Sequence, residues 1–115
     1  MDLTTQPLSW ADFEKVDIRT GTIVAVDAFP QARKPAYKLT IDFGVLGTKR
    51  TSAQLTRLYQ ADTLVGKQVV AVVNFPPKQI ATFLSECLVL GAVADDGTVT
   101  LLQTERLTEN GLRIA

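Results

Sequence analysis

The side chains best equipped for chemistry in this chain are cations, and they are unevenly spread. Arg33, Lys34, Lys38, Lys49, Arg50 and Arg57 fall in residues 31–60 beside a single acid, Asp42, giving six positive charges against one negative and a local charge of +5. Residues 1–30 carry two basic and five acidic residues and residues 61–115 four and six, so the local −3 and −2 bring the total to zero. Zero net charge argues against general stickiness for nucleic acid, whereas a basic central segment points to a local anion-binding face. The alternative reading of the same cations is an ordinary solvated strand face.

A second polar group sits in Asn74-Phe75-Pro76-Pro77-Lys78-Gln79. Two prolines fix two φ angles and remove two backbone donors, so the preceding strand must end near Asn74. Phe75 precedes a proline and is biased to extended geometry. Asn74, Lys78 and Gln79 therefore share a stiff, exposed corner, which loses little conformational entropy when it grips a shaped ligand. Chain reversal alone would also explain two prolines here.

Catalysis is the least favoured class. The chain contains no histidine, so the commonest proton carrier near neutral pH and the Ser-His and Cys-His pairs are all missing. Asp95-Asp96-Gly97 reads as a hairpin turn rather than an acid pair, and the isolated glycines of TGT, GVLG and ENG form no phosphate-cradling motif. Cys87 is the only cysteine and lies in an apolar run, which makes it a small buried hydrophobe; no metal or cofactor site is expected.

The elements that must position the cations are mostly strands. At 115 residues, 46% hydrophobic and 21% charged, the chain has the size of one soluble globular domain, with a core over about 12–94 and a hairpin and tail over 95–115. Ser9 begins a short helix as N-cap, with Asp12 completing a capping box and Leu8 stapled to Phe13. Val16 to Phe29 is β-branched and apolar, with the alternation slipping near Gly21 as at a bulge. Tyr37, Leu39, Ile41 and Phe43 alternate with Lys38, Thr40 and Asp42, Gly44 to Gly47 turns the chain, and Lys49 to Ala53 follows as a polar strand. QLTRLY predicts a helical turn. Val69–Val73 and Cys87–Val93 are apolar at consecutive positions, so both faces should be covered, by the chain's own ends or by a second subunit. Asp96-Gly97 leads into Val99–Leu102, and TERLTENGLRI reads as a polar tail. Five or six short strands, the first strongly bent, with a helical turn after the third, predict an all-β protein: a five-stranded OB-fold barrel with a short N-terminal helix and a C-terminal extension. Periodicity leaves an SH3-like barrel or a small sandwich open as well. No run of about 18 apolar residues predicts a membrane span, and MDLTTQPLSW lacks a basic head and apolar core, so a cytoplasmic location is expected.

VDIRTGTIVAVDAFPQARKPAYKLTIDFG, TSAQLTRLY, LVGKQVVAVVNFPP and SECLVLG, in that order over about Asp12 to Ile114, resemble the tRNA-binding domain family. That family occurs as free-standing dimers, as a C-terminal domain of some methionyl-tRNA synthetases and within phenylalanyl-tRNA synthetase β chains. The resemblance implies an OB barrel, a homodimer and tRNA binding. In the free-standing, secretion-related chaperone branch it also implies activity towards unfolded or export-bound polypeptides. The family's Asn-x-x-Pro-x-Lys corner resembles Asn74, Pro77 and Lys78, its following serine Ser85, here followed by Glu86, and its basic and serine positions on the third strand Arg50 and Ser52. With the OB face of strands 2 and 3 and its adjoining loops, the implied tRNA contacts are completed by Arg33, Lys38, Lys49 and Gln54. Gln79, Thr82 and Leu84 depart from the arginine, glycine and lysine common in the family, which leaves the corner one cation and should weaken binding and its salt dependence. Phe75, Ile80, Phe83 and Leu84 make it apolar instead, suited to a hydrophobic peptide or a subunit interface, with core packing the competing role for Ile80 and Phe83.

Overall fold

The computed structural model describes residues 6–115. Its spine is β1 (Ile18–Ala28), which serves two partners in turn: Ile18–Thr22 pair with β4 (Gln68–Val72), and Thr22–Ala28 pair with β2 (Tyr37–Asp42). One strand shared between two neighbours is how a five-stranded sheet bends into a barrel. The bulge that allows the bend lies between Ile23 and Ala25, not at Gly21. Gly21 has a different job: a Cβ there would lie 2.7 Å from Ile41 Cγ2 and from the Phe43 ring, so the missing side chain is room for the core.

The sheet runs β3-β2-β1-β4-β7, with β3 at Thr48–Ala53 and β7 at Leu88–Val89. Leu39, Ile41 and Phe43 point inwards as their alternation predicts, and with Ile23, Leu64 and Val69 they are wholly excluded from water. Burying each such side chain is worth about 1.5–3 kcal/mol. Every residue of β4 is buried, in line with its unbroken apolar run. The second run behaves otherwise: it splits into β7 and β8 (Gly91–Val93), and Leu88 and Val93 are 48% and 69% exposed. The expectation that both its faces are covered fails within one chain.

Local signals account for the ends. Ser9 caps α1 (Trp10–Glu14), its hydroxyl accepting from Asp12 N–H at 3.0 Å, while Asp12 turns its carboxylate to Lys15 instead of completing the box. QLTRLY contains one helical bond, Tyr59 N–H to Leu55 C=O, but the regular helix, α2 (Ala61–Leu64), starts after it and inserts Leu64 into the barrel. Beyond the prolines the chain forms a hairpin that the sequence reading lacks, β5 (Lys78–Ile80) with β6 (Phe83–Ser85), closed through Ala81 at φ 54. Asp96-Gly97 turns β8 into β9 (Val99–Leu101) as predicted.

The polar tail is part of the barrel wall. Thr20 N–H donates to Leu112 C=O, Gly111 N–H to Thr20 C=O and Ile114 N–H to Ile18 C=O, so residues 111–114 lie along the edge of β1 that β2 leaves free. Buried Gln68 gives its amide to Thr108 C=O at 2.7 Å and Asn110 Oδ1 at 3.0 Å. The segment is polar because it satisfies buried polar atoms, which composition cannot distinguish from solvation. Among the described residues no helix is long and apolar enough to cross a membrane.

Candidate nucleic-acid interface

β2 and β3 set the geometry. Lys38 lies opposite Ser52 and Thr40 opposite Arg50, so Lys38, Ser52 and Arg50 share the outer face. Lys49 lies opposite Ile41, in step with buried Thr51, and therefore turns the other way; the expectation that it projects with Lys38 and Arg50 is corrected by strand alternation. Its charge is instead near Cys87, whose thiol burial pushes up to about 11, Lys49 offsetting part of the rise.

The proline corner delivers the β5–β6 hairpin against that face. Lys78 pairs with Ser85 and Ile80 with Phe83, while Gln79 pairs with Leu84 on the opposite side. Phe83 packs on Phe29 with ring centroids 5.4 Å apart, and is only 5% exposed. Arg50 Cζ stands 4.8 Å from the Phe83 centroid, and Lys38 Nζ 4.8 Å from that of Phe29 and 5.5 Å from that of Phe83. Phe83 is thus closed to any peptide, which settles it as core; Phe75 and Leu84, each 54% exposed, are open.

A groove of about 460 Å³ joins the β1–β2 loop, the end of β3 and the hairpin, lined by Arg33, Lys34, Ser52, Gln54, Lys78 and Ile80 among others. Five residues assigned as contacts from the sequence, Arg33, Ser52, Gln54, Lys78 and Ile80, therefore meet in one depression, and Lys38 and Arg50 lie on the same face of β2 and β3 as Ser52. Lys34 completes it; the basic run ARKP was the signal for it. Three other candidates are committed within the chain. Asn74 Nδ2 donates to Lys15 C=O at 2.6 Å and its Oδ1 accepts from Asp17 N–H at 3.1 Å, tying the α1–β1 link to the corner. The Ser85 hydroxyl lies 2.9 Å from that of Thr51, and Glu86 bonds the backbone of Arg50.

Two apolar depressions adjoin the groove. One, about 340 Å³, is lined by Phe75, Pro76, Lys78, Ser85, Cys87 and Leu88. The other, about 460 Å³, opens between the end of β3 and β7–β8, with Leu55, Leu88, Val89, Val93, Val99 and Leu101 on its walls. Among the described residues no group of Cys, Asp and Glu is arranged to hold a metal ion.

Residues 18–113 match the family model described as "Putative tRNA binding domain". The chain belongs to the tRNA-binding domain family. Curated relatives include methionine–tRNA ligase of Methanococcoides burtonii, 35% identical over 90% of this chain and 15% of the ligase, and methionine–tRNA ligase 1 of Sorangium cellulosum, 35% identical over 90% and 14%. The chain thus spans only 14–15% of the length of these ligases. Two solved members of similar size are the chaperone CsaA of Bacillus anthracis, 48% identical with a TM-score of 0.92 over 96% of this chain and all (100%) of that one, and CsaA of Picrophilus torridus, 53% identical with a TM-score of 0.88 over 95% and 100%. The all-β barrel is thereby that of a CsaA-like tRNA-binding domain.

Proposed function

We propose that this chain is a non-catalytic, cytoplasmic, homodimeric module that holds folded tRNA by its phosphate backbone. The observation that carries the reading is the single groove in which Arg33, Lys34 and Lys78 meet Ser52 and Gln54, with Lys38 and Arg50 on the same face of β2 and β3 as Ser52. Guanidinium and ammonium groups neutralise phosphate, and hydroxyl and amide groups bond to phosphate and sugar; together they read shape more than sequence. A second copy is supported by apolar side chains left in water on and beside α1, Leu8 at 69% and Trp10 at 85% exposure. The test is titration of the purified protein with total tRNA at low and physiological salt. Affinity should fall steeply with salt; binding that is absent, or indifferent to salt, overturns the reading.

The apolar slot between β3 and β7–β8, together with the chaperone name of the two CsaA structures, favours a second activity towards unfolded or export-bound polypeptides. It predicts binding of extended apolar peptides with little salt dependence, abolished by Leu88→Asp or Val93→Asp. A protein that delays aggregation of no unfolded client removes it.

A further inference from the structure

Lys38 and Arg50 are held by rings rather than by acids. Among the described residues the ion pairs involve Lys15, Arg19, Arg57 and Arg106, and neither Lys38 nor Arg50 meets a carboxylate through its charged group. Both instead lie over the Phe83 ring, which is itself fixed on Phe29. The difference matters chemically. A carboxylate would orient a cation and cancel its charge, whereas an aromatic face orients it and leaves the charge available. Phe83 also comes from the β5–β6 hairpin, so the ring under Arg50 and the ammonium of Lys78 are placed by the same six-residue stretch, residues 78–83.

We propose that Phe83 is the positioning residue of the RNA interface: its ring, backed by Phe29, holds Lys38 and Arg50 as a preorganised pair of cations directed at neighbouring phosphates of one RNA strand. This rests on the RNA-binding reading above. Long cationic side chains lose rotamer freedom when they grip phosphate, and a ring that restrains them beforehand removes part of that loss. The role of Phe83 is therefore in affinity through Lys38 and Arg50, with no contact of its own to RNA.

The test compares Phe83→Leu, which keeps apolar bulk and removes the ring, with Phe83→Tyr, which keeps the ring, using total tRNA across a salt series. Phe83→Leu should bind about three- to tenfold more weakly with an unchanged salt slope, because the cations remain but are no longer restrained. Phe83→Tyr should stay within about twofold of the parent, and Arg50→Ala should lose both affinity and about one unit of slope. In a double-mutant cycle Phe83→Leu should add little to Arg50→Ala. In the free parent, Arg50 side-chain protons should show ring-current shifts that Phe83→Leu abolishes, while those of Lys38, which also stands 4.8 Å from the Phe29 centroid, should only diminish, a readout that needs no RNA and also holds if the leucine variant is less stable. Parent-like affinity in Phe83→Leu beside a weakened Arg50→Ala, or unshifted Lys38 and Arg50 protons in the parent, overturns the positioning role. Loss of salt-dependent binding by the parent itself would fault the RNA reading instead, a separate outcome.

Discussion

Glu86 and Arg50 are joined twice across the barrel seam: Glu86 N–H donates to Arg50 C=O at 2.7 Å, and the Glu86 carboxylate accepts from Arg50 N–H at 2.9 Å. β3 is an end strand of the sheet, so this pair, together with the Thr51 hydroxyl donating to Cys87 C=O at 2.6 Å, fastens its free edge to the link between β6 and β7. Glu86→Ala leaves the Arg50 N–H without its partner and should cost about 1–2 kcal/mol, whereas Glu86→Gln keeps an acceptor oxygen and should cost less. Urea unfolding checks this through a lowered midpoint at constant m. Equal loss in the two variants would mean that charge, not the hydrogen bond, holds the seam.

The groove makes a prediction about face. Arg50→Ala and Lys78→Ala should each weaken tRNA binding about three- to tenfold and reduce the salt slope by roughly 0.7–0.9, the signature of one lost phosphate contact. Lys49→Ala, one residue from Arg50 but on the opposite side of β3, should leave both quantities unchanged. A Lys49 variant as impaired as Arg50 would show that binding follows net charge and not this groove.

What could be read from the sequence was what is periodic or composed. Leu39, Ile41 and Phe43 announced their strand by alternation, and Ser9 and Asp96-Gly97 announced a cap and a turn through local chemistry. The basic groove was legible as a charge excess, because Arg33 and Lys34 are adjacent and belong to the basic segment 31–60, which also holds Lys38 and Arg50. What depends on distant partners was not. The bulge moved from Gly21 to Val24 because Gly21 is set by the Phe43 ring packed against it, and the polar tail joined the wall because Gln68 and Thr20 needed partners. Phe83 could be read from its apolar neighbours as ligand surface or as core; its ring contacts place it beneath two cations.

Asn74 tests the family resemblance against the local geometry. Both ends of its amide are engaged by the α1–β1 link, so Asn74→Ala should destabilise the fold by about 1 kcal/mol while tRNA affinity stays within about twofold. Thermal unfolding and the same tRNA titration measure the two effects separately. A variant of normal stability that has lost RNA binding would place Asn74 among the ligand contacts after all.

Cys87 predicts an alkaline limit to stability. The thiol is 6% exposed, and burial raises its pKa from 9.0 to about 11, with Lys49 and the Thr51 hydroxyl lowering it only in part. The unfolded chain therefore releases this proton first. Below pH 9 the thiol is protonated in both states and contributes no slope; between pH 9 and 11 the folded state binds more protons than the unfolded one, and stability falls as pH rises. The loss attributable to this one group should approach 2–3 kcal/mol, roughly two pKa units, once the pH exceeds the folded value. The measurement is the difference between parent and Cys87→Ala in urea midpoint from pH 8 to 11. The gap between the two should narrow as pH rises, and iodoacetamide should label the native thiol slowly until the chain unfolds. A gap that is constant with pH, or rapid labelling of the folded protein, would show that the thiol already reaches water.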